Sequence, residues 1–301
     1  VRPVLVLLLL PALIAEAAPR HDALRLRCAS SAAWVPPSAY ASSACAGGAC
    51  GLLQHPQRSL SKLGRAVPPA LGMRMTASSQ GNGVRAREVL DVLYAGKDGQ
   101  EFWDWRDSGH GKRGSSTSEY TYGELDLELF EPMMALAEPK EGDVFCDFGS
   151  GCGRLVIYSA IAYPQLKECR GLEIQEVLHD AAVSALDEAR SGKGTTEEEQ
   201  RLLQGDRVRL KVGNAYEDPG LLQDVDLMFC YSTAFDSVGP MLTQLSACLG
   251  RNMKVGARVI TVDKMLVSDG PWEFEEMGML EGRNSELGSS VGYLYRVVKS
   301  P

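Results

Sequence analysis

A glycine-rich segment between a predicted strand and a predicted helix constrains the fold of this chain more than any other feature. The segment GDVFCDFGSGCGRLVIY spans residues 142–158, and after Asp147 it has glycine at alternate positions, namely Gly149, Gly151 and Gly153. Glycine adopts positive φ at little cost and has no Cβ, so a ligand can approach its backbone closely. The helix that follows also presents unpaired N–H groups in its first turn. The segment therefore indicates a cofactor-binding loop or, as the alternative, a purely structural glycine turn.

The apolar runs on either side of this loop predict an α/β fold. Strands alternate with amphipathic helices from Val144 onward, and this alternation is typical of a mainly parallel sheet with helices on both faces. The predicted strands are Val144–Asp147, Cys169–Ile174, Val208–Val212, Val225–Tyr231, Arg258–Val262, Trp272–Met277 and Val291–Val298. The predicted helices are Val84–Tyr94, Leu125–Ala137, Leu155–Tyr163, Val177–Arg190 and Val238–Leu249, and residues 191–206 are predicted to form a charged loop. Ligands of open parallel sheets bind beyond the carboxyl ends of the strands, which is where the glycine loop lies.

The composition narrows the classes of function that the chain can have. The 301 residues are 45% hydrophobic and carry a formal net charge of −8, so strong binding to nucleic-acid phosphates is not expected. The eight cysteines include no C-x-x-C pair, and histidine occurs only four times. The sequence therefore predicts neither a disulfide framework nor a metal site.

The first 83 residues have the composition of targeting segments. Residues 1–18 combine one Arg with an apolar stretch and end in small residues, which is typical of a signal peptide. Residues 19–83 contain a single acidic residue, Asp22, as is typical of a transit peptide or a disordered leader. This order resembles the bipartite leader of plastid proteins in algae with complex plastids. It predicts an organelle or the secretory route, with the nucleus as the alternative; residues 84–118 would form a short helical and loop region before a main domain at 119–301.

Features at the ends of three successive strands favour S-adenosylmethionine as the ligand of the glycine loop. The spacing D-x-G-x-G-x-G that begins at Asp147 resembles the S-adenosylmethionine loop of class I methyltransferases, whereas a dinucleotide loop would require glycine at Arg154. Glu173 ends the second strand, where a carboxylate can accept hydrogen bonds from ribose hydroxyls. Asn214 and Ala215 follow the third strand, where an amide side chain and a backbone N–H can contact adenine. The sequence thus predicts a Rossmann-like class I methyltransferase fold with a mainly parallel seven-stranded sheet.

A motif upstream of the sheet makes the resemblance more specific. The segment EYTYGELDLELF occupies residues 119–130. Tyr-Gly-Glu, then F-x-D-x-G-S-G-x-G, then G-x-E is the order seen in the disruptor-of-telomeric-silencing family of histone-lysine methyltransferases. The segments DLMFCYSTAF (226–235), MKVGARVITVDKML (253–266) and GSSVGYLYRV (288–297) are similar to later motifs of that family.

The resemblance implies a role for each matching residue. Tyr231 and Phe235 would form the walls of a channel for the substrate lysine, and Tyr122 would contribute both to this channel and to a loop over the cofactor. The implied cofactor-binding residues are Tyr122, Gly123, Glu124, Phe145, Asp147, Gly149, Ser150, Gly151, Gly153, Glu173, Asn214 and Ala215. An apolar aromatic channel would lower the pKa of the lysine by desolvation, so that the neutral amine attacks.

The chain also departs from the family at the fourth strand. The family has a pair of asparagines at Tyr231 and Ser232 and a phenylalanine at Thr233, and it has an aspartate at Asn214. The sequence predicts an S-adenosylmethionine-dependent protein-lysine N-methyltransferase whose partner is a protein lysine, with core histones as the candidate. Two alternatives remain open: a methyltransferase of the same fold acting on a non-histone protein or a small molecule in an organelle, and a module that binds the cofactor without catalysis.

Overall fold

A computed structural model describes residues 77–96, 123–285 and 287–301 of the chain. For residues 77–80 and Ala234 the backbone alone is described. The predicted signal and transit segments up to residue 76, the loop around residues 97–118 and Tyr122 lie outside the described residues. All described residues belong to one compact unit of the chain.

Seven strands form one sheet in the order β3-β2-β1-β4-β5-β7-β6. Their bounds are β1 Val144–Phe148, β2 Glu168–Glu173, β3 Val208–Val212, β4 Leu227–Cys230, β5 Arg258–Val262, β6 Glu273–Asn284 and β7 Gly288–Lys299. Strands β1 to β5 pair in parallel, while β7 runs antiparallel to both β5 and β6. The predicted Rossmann-like class I methyltransferase fold is confirmed.

Helices cover both faces of this sheet. Within the described ranges they are α1 Ala77–Leu93, α2 Leu127–Ala137, α3 Arg154–Ala162, α4 Glu176–Arg190, α5 Glu197–Leu203 and α6 Thr243–Asn252. Successive residues of a strand point to opposite faces, so Phe145 of β1 joins the core beneath α1 to α4, whereas Cys146 joins the core beneath α6. Every residue of β1 is buried, as expected of a central strand in a parallel sheet. No helix of the described residues is both long and apolar enough to cross a membrane.

Two elements differ from their predictions for local reasons. Helix α5 lies inside the segment 191–206 that was predicted to be a loop. Thr196 and Glu199 form a capping box there, in which the Thr side chain accepts from the Glu199 N–H and the Glu side chain accepts from the Thr196 N–H, and this satisfies N–H groups that open the helix. Helix α6 begins at Thr243 rather than Val238, because Val238 and Met241 pair across a turn in an isolated bridge.

Two other elements are longer than predicted. Strand β6 continues to Asn284 rather than ending at Met277, and Gly278 and Gly282 within it lie against leucine side chains of α2. The missing side chains leave room for α2 to pack on the strand, so these glycines extend the element instead of breaking it. Helix α1 begins at Ala77, inside the segment 19–83 that was predicted to be a leader.

A buried arginine fixes the end of α2 to the sheet. Arg258 of β5 donates to the carbonyls of Ala137 and Glu138 and forms an ion pair with Asp143. Arg258 and Asp143 are both buried, and a buried charge is tolerated when it is paired and hydrogen-bonded. The contact holds α2, and with it the segment 123–126 just before it, beside the carboxyl end of β1.

Candidate active site

The glycine loop after β1 has the backbone conformation that requires glycine. The φ angles of Gly149, Gly151 and Gly153 are 86°, 52° and 83°, all in the left-handed region where a side chain would be strained. The N–H groups of Gly149 and Ser150 donate to the Leu172 carbonyl at 2.8 and 3.0 Å. The loop is therefore folded back on the end of β2, and its backbone lines the space beyond the strands.

Glu173, the last residue of β2, stabilises this loop from behind. One of its carboxylate oxygens accepts from the Gly151 N–H at 2.7 Å, and the other accepts from the Gln175 N–H at 2.9 Å. Burial raises the pKa of Glu173, and these backbone hydrogen bonds act in the opposite direction. A carboxylate oxygen has more than one lone pair, so both oxygens can still accept a hydrogen bond from a ligand hydroxyl.

Asp147 presents a buried carboxyl group to the cavity in front of the loop. It is 3% exposed, and its pKa is raised well above the ordinary value, first by burial and second by the charge of Glu173. Among the described residues, none donates a hydrogen bond to this carboxyl group within bonding distance. A desolvated carboxylate facing a cavity is suited to a cationic ligand, because the cation would offset the cost of ionisation.

The cavity in front of the loop is lined by three segments of the chain, around residues 123–127, 147–155 and 229–231. Tyr231, just after β4, lines the cavity together with residues of the glycine loop. The other predicted site residues that line the cavity are Gly123, Glu124, Asp147, Gly149, Ser150 and Gly151. The positively charged sulfonium and ammonium groups of S-adenosylmethionine would suit the Asp147 carboxylate.

One side of the cavity is closed by contacts that the sequence did not reveal. Glu124 forms an ion pair with Arg154, and the Cys152 thiol lies 3.6 Å from the same carboxylate. The Tyr94 hydroxyl, just after α1, donates to the Cys152 carbonyl at 2.7 Å, and the Arg154 guanidinium lies 5.5 Å from the centre of the Tyr94 ring. Tyr94 thus joins the N-terminal helix to the glycine loop, and no sequence motif connects these two segments.

Five predicted cofactor-binding residues do not line the cavity, and one of them is Glu173, whose carboxylate is hydrogen-bonded to the backbone of the glycine loop. Phe145 is fully buried in the core, with its ring centre 6.4 Å from that of Phe130. Gly153 serves the packing of two helices, since a Cβ there would lie 2.8 Å from the Cβ of Ala182.

The other two lie in the turn after β3. The Asn214 side chain accepts from the Tyr216 N–H at 3.0 Å and donates to Glu217 at 3.2 Å, so it stabilises its own turn. Ala215 is buried in the core beside it. Contact between adenine and these two residues remains a prediction.

Of the two predicted channel residues that the structure describes, Tyr231 lines the cavity and Phe235 does not. The ring of Phe235 is 5.5 Å from that of Phe148 and borders Gly149. The Tyr231 hydroxyl accepts a hydrogen bond from Asn284 at 3.0 Å. Ser232 donates to the Val262 carbonyl at 2.6 Å and accepts from its N–H at 3.0 Å, which fixes the end of β4 to β5. Within the described part of the chain, no cluster of His, Cys, Asp and Glu is suited to hold a metal ion.

Comparison with known proteins identifies the family. The family model for histone methylation protein DOT1 matches residues 110–279, more than half of the chain. The chain belongs to the DOT1 histone methylation family. This confirms the family predicted from the sequence, and it supports the predicted enzyme class and cofactor.

A curated relative shares part of this domain. The H3 lysine-79 specific histone-lysine N-methyltransferase of Dictyostelium discoideum is 30% identical over 132 residues, which cover 37% of this chain and 7% of the relative. The chain therefore matches only a small part of that protein's length.

Solved structures resemble the chain at much greater distance. The precorrin-8w decarboxylase from Methanobacterium thermoautotrophicum is 19% identical, with a TM-score of 0.39 over 58% of this chain and 92% of that chain. An S-adenosylmethionine-dependent methyltransferase from Thiobacillus denitrificans is 11% identical, with a TM-score of 0.37 over 60% of this chain and 94% of that chain. These likenesses are too distant to bear on function.

Proposed function

We propose that this chain is an S-adenosylmethionine-dependent protein-lysine N-methyltransferase of the histone-modifying type. The observation that carries the proposal is a single cavity in which the DOT1-type segment at Gly123 and Glu124 meets the glycine loop, the Asp147 carboxyl group and Tyr231. Membership in the histone methylation family supports the choice of a protein lysine as the acceptor.

The residues present suit the cofactor at both of its ends. Glu173 would accept hydrogen bonds from the ribose hydroxyls, while Asp147 and the segment around Glu124 would hold the methionyl end. When bound, the cofactor supplies an electrophilic methyl group. The protein's own contribution is to orient the two reactants and to exclude water from the cavity, which lowers the entropic cost of reaching the transition state.

The walls of the cavity would also prepare the acceptor amine. With an ordinary pKa of about 10.4, deprotonating a lysine at neutral pH costs roughly 4–5 kcal/mol. The aromatic side chains of Phe229 and Tyr231 line the cavity, and the ring of Phe235 lies against Gly149. Desolvation by these rings, together with the positive charge of the cofactor, would lower the pKa of the lysine and favour its neutral form.

A second candidate is a methyltransferase of the same fold with a non-histone substrate. Tyr231 occupies a position where the family has asparagine, and its side chain lines the cavity itself. The signal-like and transit-like composition of residues 1–83 favours an organelle or the secretory route for this candidate. The histone-directed candidate is consistent with the nucleus and with a role as a chromatin regulator.

The test uses the full 301-residue chain with radiolabelled S-adenosylmethionine. Nucleosomes, free core histones and an organelle extract are offered as acceptors in parallel. The variant Asp147→Asn should abolish labelling. Its matched control, Asp206→Asn, changes an exposed carboxylate just before β3, at the amino ends of the strands and away from the glycine loop, and should retain full labelling.

Each outcome separates the candidates. Label on a core-histone lysine supports the histone-directed enzyme, and label confined to the organelle extract supports the second candidate. Binding of the cofactor without transfer to any acceptor contradicts both and leaves a non-catalytic cofactor-binding module.

A further inference from the structure

A chain of hydrogen bonds runs from the cavity wall into the sheet. The side-chain amide of Asn284 donates to the Tyr231 hydroxyl at 3.0 Å and to the Ser290 hydroxyl at 2.7 Å. Ser290 in turn donates to the Asp263 carboxylate at 2.8 Å. Asn284 and Ser290 are only 1% and 2% exposed, so the middle of this hydrogen-bond network is shielded from water.

This chain of hydrogen bonds is anchored at Asp263, the residue farthest from the cavity. The other carboxylate oxygen of Asp263 accepts from the Val291 N–H at 2.8 Å, and the Asp263 N–H donates to the Val291 carbonyl at 2.8 Å. Asp263 has a φ of 62°, a conformation that a residue other than glycine keeps only where its surroundings determine it. These contacts fix the end of β5 to β7 beside the cavity.

The Asp263 carboxylate also sets the direction of each hydrogen bond between it and Tyr231. Ser290 has one O–H, which it gives to Asp263, so its oxygen must accept from Asn284. The amide of Asn284 is therefore oriented with its NH₂ group toward Ser290 and Tyr231. Its carbonyl oxygen accepts from the Leu287 N–H at 3.0 Å, in agreement with this orientation. The Tyr231 oxygen can only accept from Asn284, so the phenol proton must point away from it.

The hairpin that carries Asn284 also touches the opposite wall of the site. The Ser285 N–H donates to the Asp126 carboxylate at 2.6 Å, and Asp126 immediately precedes α2 and follows the cavity segment 123–125. The tip of the β6–β7 hairpin thus holds two sides of the cavity in a fixed relation.

From this geometry we infer that Asn284, Ser290 and Asp263 are positioning residues that hold the Tyr231 hydroxyl in one orientation at the cavity wall. The inference rests on the proposed methyltransferase function, because the oriented hydroxyl would face the incoming acceptor and the methyl end of the cofactor. A small displacement of a group that aligns reactants lowers the rate substantially.

The test is a double-mutant cycle between Asn284→Asp and Tyr231→Phe in the full chain. Asn284→Asp is nearly isosteric and keeps the acceptor for the Leu287 N–H, but it replaces the NH₂ donor by an acceptor. Each single variant should lower the single-turnover rate of methyl transfer about tenfold, and the double variant should fall no more than about twofold below either single one. Non-additivity is expected because both changes act through the same hydroxyl.

A second readout does not depend on transfer. Calorimetric titration with S-adenosylmethionine should show that Asn284→Asp weakens binding about threefold in the parent and leaves it unchanged in the Tyr231→Phe background. The control Ser246→Ala removes a buried hydroxyl that accepts from the Val267 N–H at 2.9 Å away from this network. This control should lower thermal stability without changing the rate of methyl transfer or the affinity for S-adenosylmethionine.

Three outcomes would overturn the inference. The first is that Asn284→Asp lowers cofactor binding and transfer rate equally in the parent and in the Tyr231→Phe background. The second is that Asn284→Asp changes neither quantity in either background. The third is that a folded Asp263→Asn variant binds the cofactor and transfers methyl as the parent does. The last substitution keeps a residue that tolerates positive φ, and it removes the anchoring charge and one of the two acceptor oxygens. It therefore tests the inference if Asn284→Asp fails to fold. If the parent transfers methyl to no acceptor, the proposed function fails, and the binding cycle still tests the inference.

Discussion

Two carboxylates at the ends of adjacent strands have different environments in this site. Glu173 is held by backbone N–H groups of Gly151 and Gln175, which partly offset the cost of its burial. Asp147 has no such donor within bonding distance among the described residues, and its pKa is raised further by the neighbouring charge. An unliganded protein therefore pays to keep Asp147 ionised, and a bound cation would recover that free energy.

This difference predicts how Asp147→Asn changes stability with pH. The pKa of Asp147 is higher in the folded protein than in the unfolded chain, where it is about 3.9. Stability is therefore lost as the pH rises from the pKa of the unfolded chain through that of the folded protein. Without cofactor, Asp147→Asn should therefore unfold a few degrees above the parent at neutral pH, and the advantage should shrink as the pH falls toward that unfolded value. The variant should also lose the rise in unfolding temperature that S-adenosylmethionine gives the parent.

Thermal unfolding at a series of pH values, with and without the cofactor, measures both effects. Asp206→Asn, which alters an exposed carboxylate, is the control and should follow the parent at every pH. A stability difference between Asp147→Asn and the parent that does not change with pH would contradict the assigned cause.

At the scale of elements, the last glycine of the loop joins two helices instead of lining the cavity. Gly153 precedes α3, and a Cβ there would lie 2.8 Å from the Cβ of Ala182 in α4. The approach of these helices holds the glycine loop between the ends of β1 and β2. One glycine of the motif therefore stabilises the fold, while Gly149 and Gly151 line the cavity.

The matched glycine Gly142 allows the packing effect to be separated from backbone strain. Gly142 and Gly153 share a φ of 83°, but a Cβ at Gly142 would meet nothing within 4 Å. Gly142→Ala should lower the free energy of unfolding by about 1 kcal/mol through strain alone. Gly153→Ala adds a steric clash and should cost about 2–4 kcal/mol. Denaturant unfolding measures both, and equal losses would show that the contact with Ala182 is unimportant.

At the scale of the whole molecule, three separated parts of the chain support one cavity, two of them by contacting residues that line it. The parallel half of the sheet carries the glycine loop, the antiparallel hairpin carries Asn284, and the end of α1 adds Tyr94. Because α1 packs on α3 and α4, residues from Ala77 onward belong with this domain. The segment with the composition of a leader is therefore best tested as residues 1–76.

A fusion of residues 1–76 to a fluorescent protein tests the predicted targeting. The apolar stretch followed by a segment nearly free of acidic residues predicts fluorescence in an organelle or along the secretory route. A scrambled segment of the same composition serves as the control. Accumulation of the fusion in the nucleus would contradict the targeting prediction and agree with the histone-directed candidate.

The sequence by itself determined the features that depend on local pattern. Strands β3 and β5 have the predicted bounds, Val208–Val212 and Arg258–Val262. Strand β3 alternates apolar and charged residues, whereas β5 is a short and mostly apolar run. The glycine loop was also recognisable from local pattern, since the positive φ angles and the missing side chains are properties of the loop residues themselves. Helix α5 was also encoded locally, by the capping box at Thr196, although the charged segment obscured it.

Only the tertiary structure decided which of these residues meet around the cavity. The contact of Tyr94 with Cys152 joins positions 58 apart, and that of Asn284 with Tyr231 joins positions 53 apart, so no local pattern could signal either of them. The fold likewise placed Phe145 in the core and Gly153 between two helices, although both lie within the motif that identified the site. Sequence pattern fixes the conformation of a segment, whereas the packing of distant segments decides which of its side chains reach the ligand.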